Sequence, residues 1–418
     1  MTEKVFKNIR RNLPDGYSED DLEYDRKKLR IAALLHDIGH YPLSHTLESA
    51  YQKYTYYETK YPKNGILKQE NALTLTKKDL HHEYIGKHII ENCTNIKSIL
   101  KKEFSEQDIE DISNTIIGDL IHERPFYAHI LHSDLDVDTL DYCLRDSDGT
   151  GIAYGKYDIN YLLDNVVLHS INDKFVICFK EKAIHTIEHF LLAKHFYYLQ
   201  ILYHPKRLFF EETATRFAIE AIKIGWLPSP KSYRDKIIEI EGTFYNDNYF
   251  WDLCSKAYKN KTIKDNKPTP AMHIYSRILF ERLAPKNCLK IEKMKEINET
   301  DRDPNNIWKK LKESVLEKRV IEREFTFLDY KFKFDKITND TFGRFYNYFN
   351  ITKTTQEYRN SLEKRQSKVQ NNEFLIQSRD SIKIIDEKGN IDFLSNNKDS
   401  LAYILAKNKI GIYLDFGD

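Results

Sequence analysis

The chain has 418 residues, 41% hydrophobic and 13% aromatic, which suits a substantial buried core and exceeds what one ordinary core needs. A solvated coil of this length would be poorer in Tyr, Phe and Ile. Its 65 basic and 64 acidic residues nearly cancel, so the chain is no polycation wrapped on nucleic acid, while a local basic pocket for a phosphorylated ligand stays open.

Residues 26–38 have helical spacing in Leu29, Ala32, Ala33 and Ile38, with Ser18 or Asp21 capping an approach turn. Gly39 and Pro42 break that helix and place His40 and His45 around a helix-to-helix turn. Helical periodicity returns over 77–92 and 105–121. Residues 126–145 read as one further helix, ended by Gly149-Thr150-Gly151. Residues 165–169 and 175–179 predict a hairpin turned by Asn172-Asp173. Residues 183–203 predict a strongly apolar, aromatic helix. Pro228-Ser229-Pro230 and the polar stretch 259–270 are the best internal boundaries. Beyond about residue 320, segments 325–334 and 381–394 alternate like strands, the second around a turn at 386–390. The expected architecture is mainly α: a helical core over 1–225, a helical extension over 226–320 and a smaller α+β C-terminal region over 321–418.

Cys93, Cys143, Cys178, Cys254 and Cys288 have no CxxC spacing, which argues for reduced thiols in a cytoplasm. No stretch approaches the ~20 apolar residues of a membrane span, and the charged opening is no signal peptide.

Four constellations stand out. In Leu34-Leu35-His36-Asp37-Ile38-Gly39-His40-Tyr41-Pro42-Leu43-Ser44-His45, an adjacent imidazole and carboxylate suit a divalent metal such as Mn, Fe or Zn. The two later histidines are able to move protons at neutral pH. His81-His82-Glu83 reads either as a polar helix start capped by Asp79, or as a proton donor or phosphate contact, His82, oriented by Glu48 or Glu83. Asp134, Asp138 and Asp141 fall on one helix face with Arg145 beyond. That is either a salt-bridged surface, or carboxylates stacked on a buried helix that need a cation. In Tyr203-His204-Pro205-Lys206-Arg207 the two cations either neutralise phosphate or offset a helix dipole. The chain has no Walker loop, GxSxG or GxGxxG, which sets aside P-loop NTPases, serine hydrolases and Rossmann enzymes.

HDIGHYPLSHTLE (36–48), HHE (81–83) and DLDVDTLDYCLRDSDGTG (134–151), in that order, resemble the HD-domain phosphohydrolases. More narrowly they resemble the branch with the bacterial dGTP triphosphohydrolases and the SAM-and-HD-domain dNTP triphosphohydrolases. The resemblance is strong over 25–155 and implies an HD-domain helical bundle and a metal-dependent dNTP triphosphohydrolase, releasing a deoxynucleoside and tripolyphosphate. It implies His36, Asp37 and Asp138 as ligands of a divalent metal (Mn, Fe, Mg or Zn). His45 and His82 become catalytic histidines, with Glu48 orienting one of them and His40 in the phosphate pocket. Tyr142 would lie against the sugar and Asp146 on its 3′-hydroxyl, with His204 near a downstream family histidine. Relatives carry a further ligand histidine upstream of the His-Asp pair, a position that here lies before Met1. The chain therefore reads as N-terminally truncated relative to the family, as holding its metal with three protein ligands, or as carrying an inactive site. Thr139 stands where relatives often have a basic residue, leaving Lys206 or Arg207 to supply charge for a triphosphate. The implied partners are a dNTP substrate, an allosteric nucleotide and further copies of the chain, with no membrane and no indication of nucleic acid. The competing expectations are an HD phosphodiesterase or nucleotidase acting on another phosphorylated nucleotide, and a nucleotide-binding regulatory subunit without catalysis.

Overall fold

The computed structural model describes residues 1–60 and 75–283, apart from 77, 122–123, 203, 240–244 and 264–265. Beyond these it describes 288–291, 324–327, 330–333, 346–347, 382–394 and 410–415. Among the described residues there are fourteen α-helices and a few short strands, so the mainly α expectation holds.

The chain opens with α1 (Thr2–Ile9) and α2 (Glu19–Leu35). The second starts well before residue 26 because Ser18 and Asp21 form a reciprocal capping box, and it stops at Leu35, leaving His36 as its C-cap. After α3 (His45–Lys60), the helix expected from residue 77 is in fact a 3-10 turn (Lys78–Leu80) followed by α4 (His82–Asn92). The separation arises at His81, whose extended backbone makes it the N-cap of α4. Asp79 does not cap that helix: its carboxylate takes the backbone and hydroxyl hydrogens of Thr76. Next come α5 (Thr94–Leu100) and α6 (Glu106–Ile116), the latter capped by Ser105 and Asp108.

The single helix expected over 126–145 is two, α7 (Phe126–His132) and α8 (Val137–Thr150). Asp136 ends the first option by accepting from the Thr139 amide at 2.5 Å as the N-cap of α8. Asp134 consequently lies outside the helix, and the three-aspartate face predicted for 134, 138 and 141 does not form. Gly151, at φ 73°, closes α8 in the left-handed conformation.

Helix α9 (Ile159–Asp164) leads to a hairpin of β1 (Val166–Ile171) and β2 (Lys174–Lys180). Its turn residues Asn172 and Asp173 have φ 50° and 59°, the geometry that suits right-twisted strands. The predicted helix over 183–203 begins as α10 (Ile184–Tyr197) and then widens into a π-helical turn (Tyr198–Leu202). Four more helices follow: α11 (Pro205–Lys223), α12 (Pro230–Lys236), α13 (Asp247–Tyr258) and α14 (Pro270–Glu281). The remaining strands are β3 (Cys288–Ile291), β4 (Glu324–Phe327), β5 (Tyr330–Lys333), β6 (Tyr346–Asn347), β7 (Lys383–Ile385), β8 (Ile391–Phe393) and β9 (Ile410–Asp415). They pair as a sheet of order β1-β2-β7-β8, a second of order β3-β9-β6, and the β4-β5 ribbon. The rest of the expected 321–418 region, and of 226–320 beyond 291, lies outside the described residues.

Contacts divide the chain into two compact units. The first holds Met1–His132, Leu168–Val176 and Leu208–Leu283, and the second Ser133–Val167, Ile177–Arg207 and Ala284–Asp418. In the first, Tyr41, Tyr51, Leu80, Ile85, Phe217 and Trp226 belong to one buried cluster. Burial of such side chains, each worth roughly 1.5–3 kcal/mol, is what holds α3, α4 and α11 together. In the second, Tyr157 packs edge-on against Phe190 of α10 and donates its hydroxyl hydrogen to the Leu140 carbonyl of α8. Among the described residues no helix is long and apolar enough to cross a membrane.

Candidate active site

The first unit gathers the histidines around the end of α2. His36 donates from Nδ1 to the Ala33 carbonyl at 2.8 Å, so its proton sits on Nδ1 and its lone pair on Nε2. That Nε2 lies 3.3 Å from Asp37 Oδ1, and His40 Nε2 reaches the same oxygen at 3.2 Å. Burial works to raise the Asp37 pKa, but the His40 hydrogen bond and the neighbouring imidazoles outweigh it and hold the carboxyl below its usual range. A histidine fixed by a backbone carbonyl through one nitrogen, offering the other beside an ionised carboxylate, is the donor arrangement a divalent metal takes. His36 and Asp37 therefore fit the metal that their sequence motif implied.

The turn from α2 to α3 is strained and tied down. Leu43 and Ser44 both have φ 54°, a left-handed backbone unusual for leucine. The Leu43 amide donates to Asp247 at 2.7 Å and the Ser44 amide to the Tyr41 carbonyl at 2.7 Å, which secures the strain. Ser44 Oγ also meets His40 Nδ1 at 3.0 Å, and His45 begins α3 immediately afterwards. Gly39 lets α4 approach: a Cβ there would lie 2.1 Å from the His82 carbonyl oxygen and 2.2 Å from the Gly86 nitrogen.

That approach brings His82 to Glu48. Glu48, buried on α3, accepts from His82 Nδ1 at 2.8 Å, His45 Nδ1 at 3.4 Å and Gln52 Nε2 at 2.9 Å. The rings of His40 and His82 stack with centroids 4.0 Å apart, and His45 stands nearly perpendicular to both at 5.0 Å. Burial alone would raise the Glu48 pKa, but the hydrogen bonds from His45 and His82 carry it well below the usual carboxylate range. Burial pushes His82 down to about 4, with the Glu48 hydrogen bond pulling the other way. At neutral pH the pair is a carboxylate and a neutral imidazole, with its proton on Nδ1 and its lone pair on Nε2. Ligating atoms of His40, His45 and His82 lie within 4.8 Å of one another, as do those of Glu48, His81 and His82. The sequence reading missed Gln52, Gly86 and Asp247. Only Gln52, one helical turn beyond Glu48, had a local signal.

The second unit carries the remaining predicted residues. Asp138 sits in the first turn of α8, and Tyr142 and Asp146 follow at helical spacing on the same side. Asp141 and Arg145 form the surface ion pair that the plain reading anticipated, at 2.9 Å. Tyr142 shares a 2.9 Å hydrogen bond with the Tyr198 hydroxyl, and Tyr197 donates to Asp146 Oδ2 at 2.7 Å. Asp136 is pushed up to about 6 by burial, against the charge of Lys194. Tyr197, Tyr198 and Lys194 were not among the predicted residues; the lone lysine in so apolar a helix was the available signal. His204, Lys206 and Arg207 are exposed, and Arg207 donates to the Leu202 carbonyl at 2.6 Å, the helix-end role. Tyr203 lies outside the described residues.

Known proteins share parts of this chain's sequence and its fold. Residues 3–146 match the family model of the HD domain. The chain is 28% identical over 207 residues to the uncharacterized protein YwfO of Bacillus subtilis, which covers 48% of this chain and 39% of that protein. It is 26% identical over 244 residues to an uncharacterized protein of Methanocaldococcus jannaschii, covering 58% of this chain and 45% of that one. The chain thus spans less than half the length of these curated relatives. Its fold is similar to that of a phosphohydrolase from Bacteroides thetaiotaomicron, with TM-score 0.56 and 17% identity over 99% of this chain and 83% of that one. A hypothetical protein from Aquifex aeolicus is similar at TM-score 0.54 and 18% identity, covering 99% and 80%.

Proposed function

We propose that this HD-domain chain is a metal-dependent phosphohydrolase whose substrate is a deoxynucleoside triphosphate, split into a deoxynucleoside and tripolyphosphate. The observation that carries the reading is Glu48 binding two imidazoles, His45 and His82, through their Nδ1 atoms beside the His36–Asp37 pair. His36 and Asp37 would hold the metal, and Asp138 is proposed as a third ligand on the strength of its sequence motif alone. A divalent ion there would supply Lewis acidity at a phosphate and acidify a bound water.

The side chains divide the remaining work. His82, neutral with its proton on the Glu48 side, offers Nε2 as acceptor for a proton from the attacking water, and the Glu48 carboxylate stabilises the imidazolium that results. His45, exposed on the other side of the same carboxylate oxygen, delivers a proton to the departing 5′-oxygen and recovers one from solvent. His40, with Nδ1 held by Ser44 and Nε2 by Asp37, would line the phosphate pocket that its sequence motif implies. Tyr142 and Asp146 favour a deoxynucleoside, the ring against the sugar and the carboxylate on its 3′-hydroxyl.

One observation favours a second reading, a nucleotide with fewer phosphates. Thr139 is buried and neutral, and Arg207 commits one of its donors to a backbone carbonyl, which weakens the case for these two positions as a triphosphate clamp. The test is turnover of each dNTP and each deoxynucleoside monophosphate with Mn, with tripolyphosphate and inorganic phosphate measured separately. Tripolyphosphate release supports the first reading, and orthophosphate from monophosphates alone replaces it with the second. No turnover by a metal-replete protein overturns both in favour of a binding module. Self-association and activation by a second nucleotide belong to the same proposal; sedimentation with and without nucleotide reads them.

A further inference from the structure

Helices α8 and α10 meet in the second unit through two hydrogen bonds made by consecutive tyrosines. Tyr197 ends α10 and donates to Asp146, while Tyr198 opens the π-helical turn and bonds Tyr142. Neighbours on a regular helix point about 100° apart, so two of them rarely serve partners one turn apart on a single facing helix. Here the wider π turn begins between them, a local irregularity frequent at functional sites.

The consequence for Asp146 is specific. Tyr197 is buried, and both burial and the adjacent carboxylate raise its pKa, so the phenol is always the donor. Oδ2 of Asp146 is therefore occupied. Oδ1 faces Arg145 only at 3.9 Å, and Arg145 is committed to Asp141 at 2.9 Å. The Asp146 side chain remains 39% exposed, and with Oδ2 taken by Tyr197 the oxygen left for a ligand hydroxyl is Oδ1.

We propose that Tyr197 is a positioning residue: it locks Asp146 so that Oδ1 alone meets a ligand hydroxyl, and it thereby sets the preference for nucleotides bearing a 3′-hydroxyl over 3′-deoxy ones. This rests on the reading that Asp146 contacts the sugar, and it adds a residue that the sequence motifs do not contain. A carboxylate turned freely would accept the hydroxyl at an ordering cost, whereas one already held accepts it without that cost.

The experiment compares wild type, Tyr197→Phe and Asp146→Asn on each 2′-deoxynucleoside and its 2′,3′-dideoxy counterpart by calorimetry, and on the matching triphosphates by kinetics. Tyr197→Phe keeps the buried ring and deletes one hydroxyl, and its melting temperature reports whether the fold survives. A charge-assisted hydrogen bond to the 3′-hydroxyl gives wild type a preference of about tenfold or more. Tyr197→Phe is expected to cut that preference to about twofold, through KM for the deoxy substrate, with kcat and the dideoxy values retained. Asp146→Asn is expected to cut it as far, and the double variant no further. Equal losses on deoxy and dideoxy ligands, or an unchanged preference in either single variant, would leave Tyr197 a packing residue and overturn the inference. The two proposals separate cleanly. Tripolyphosphate release without any 3′ preference in wild type keeps the reaction and sinks the inference. A hydroxyl preference in nucleoside binding that Tyr197→Phe removes, with no tripolyphosphate released, does the reverse.

Discussion

Replacing His82 with Asn should flatten the acid side of the stability profile. His82 has only 12% of its side chain exposed, and burial takes its pKa from 6.5 to about 4 against the opposing pull of Glu48. Between those values the unfolded chain binds a proton at this imidazole and the folded chain does not. The contribution is therefore complete above pH 6.5 and is lost as pH falls toward 4, so stability rises with pH through that window. Integrating the two titrations gives a loss of about 2 kcal/mol between pH 7 and pH 5. Glu48 adds little there, because its folded pKa is depressed and an unfolded glutamate titrates near 4.3, so it is ionised in both states over most of the window. Burial also lowers His88 and His169, which give a background slope common to both proteins. The assay is urea unfolding of metal-stripped wild type and His82→Asn at pH 5, 6 and 7, with His82→Gln in reserve should the first variant not fold. Wild type is expected to lose about 2 kcal/mol more than the variant across the range. Parallel profiles would mean that His82 is as protonated in the fold as in water, and the division of roles between His82 and His45 would fall with it.

Other consequences follow from the same geometry. Gly39→Ala sets a Cβ 2.1 Å and 2.2 Å from backbone atoms of α4 and should cost about 3 kcal/mol or more in urea unfolding, or prevent folding. Gly86→Ala meets nothing closer than 3.5 Å and, within a helix, should be neutral or stabilising by up to about 1 kcal/mol; a protein as damaged as Gly39→Ala would show the packing of α4 to be wrong. Asp37→Ala should reduce bound Mn or Zn, measured by elemental analysis after dialysis, from about one per chain to below about a tenth, with the helical circular dichroism unchanged. A full equivalent retained would remove Asp37 from the ligand set. Ser18→Ala deletes half of the α2 capping box and should cost about 1 kcal/mol with metal content unaltered. Loss of metal in that variant would mean that the start of α2 governs its far end.

What the sequence made legible were features written within one turn or one loop. The His36-Asp37 pair before a Gly-Pro turn and the Asn172-Asp173 hairpin are both local, and both are present. The HD domain followed from three such motifs in order and is matched over residues 3–146. The misjudged features are competitions or long-range contacts. At 133–136 the apolar spacing of Leu135 and Val137 continues a helix, but Asp136 gains more by capping α8 than by staying inside one. The π turn after Tyr197 has no pattern of its own in a run of aromatic residues.

The bond between His82 and Glu48 spans 34 residues, and from the residues alone it was open between Glu48 and Glu83. Its choice follows from one glycine above all. Gly39 has no Cβ, so the first turn of α4 settles on the His-Asp turn, and Gly86, with Cβ space of 3.5 Å, completes the fit without demanding it. With α4 that close, His82 meets Glu48 at 2.8 Å while its ring stacks on that of His40. The glycine of HDIGH therefore matters beyond its turn: the close approach it permits places His82 Nδ1 on Glu48 and so leaves Nε2 as the ring nitrogen turned away from that carboxylate.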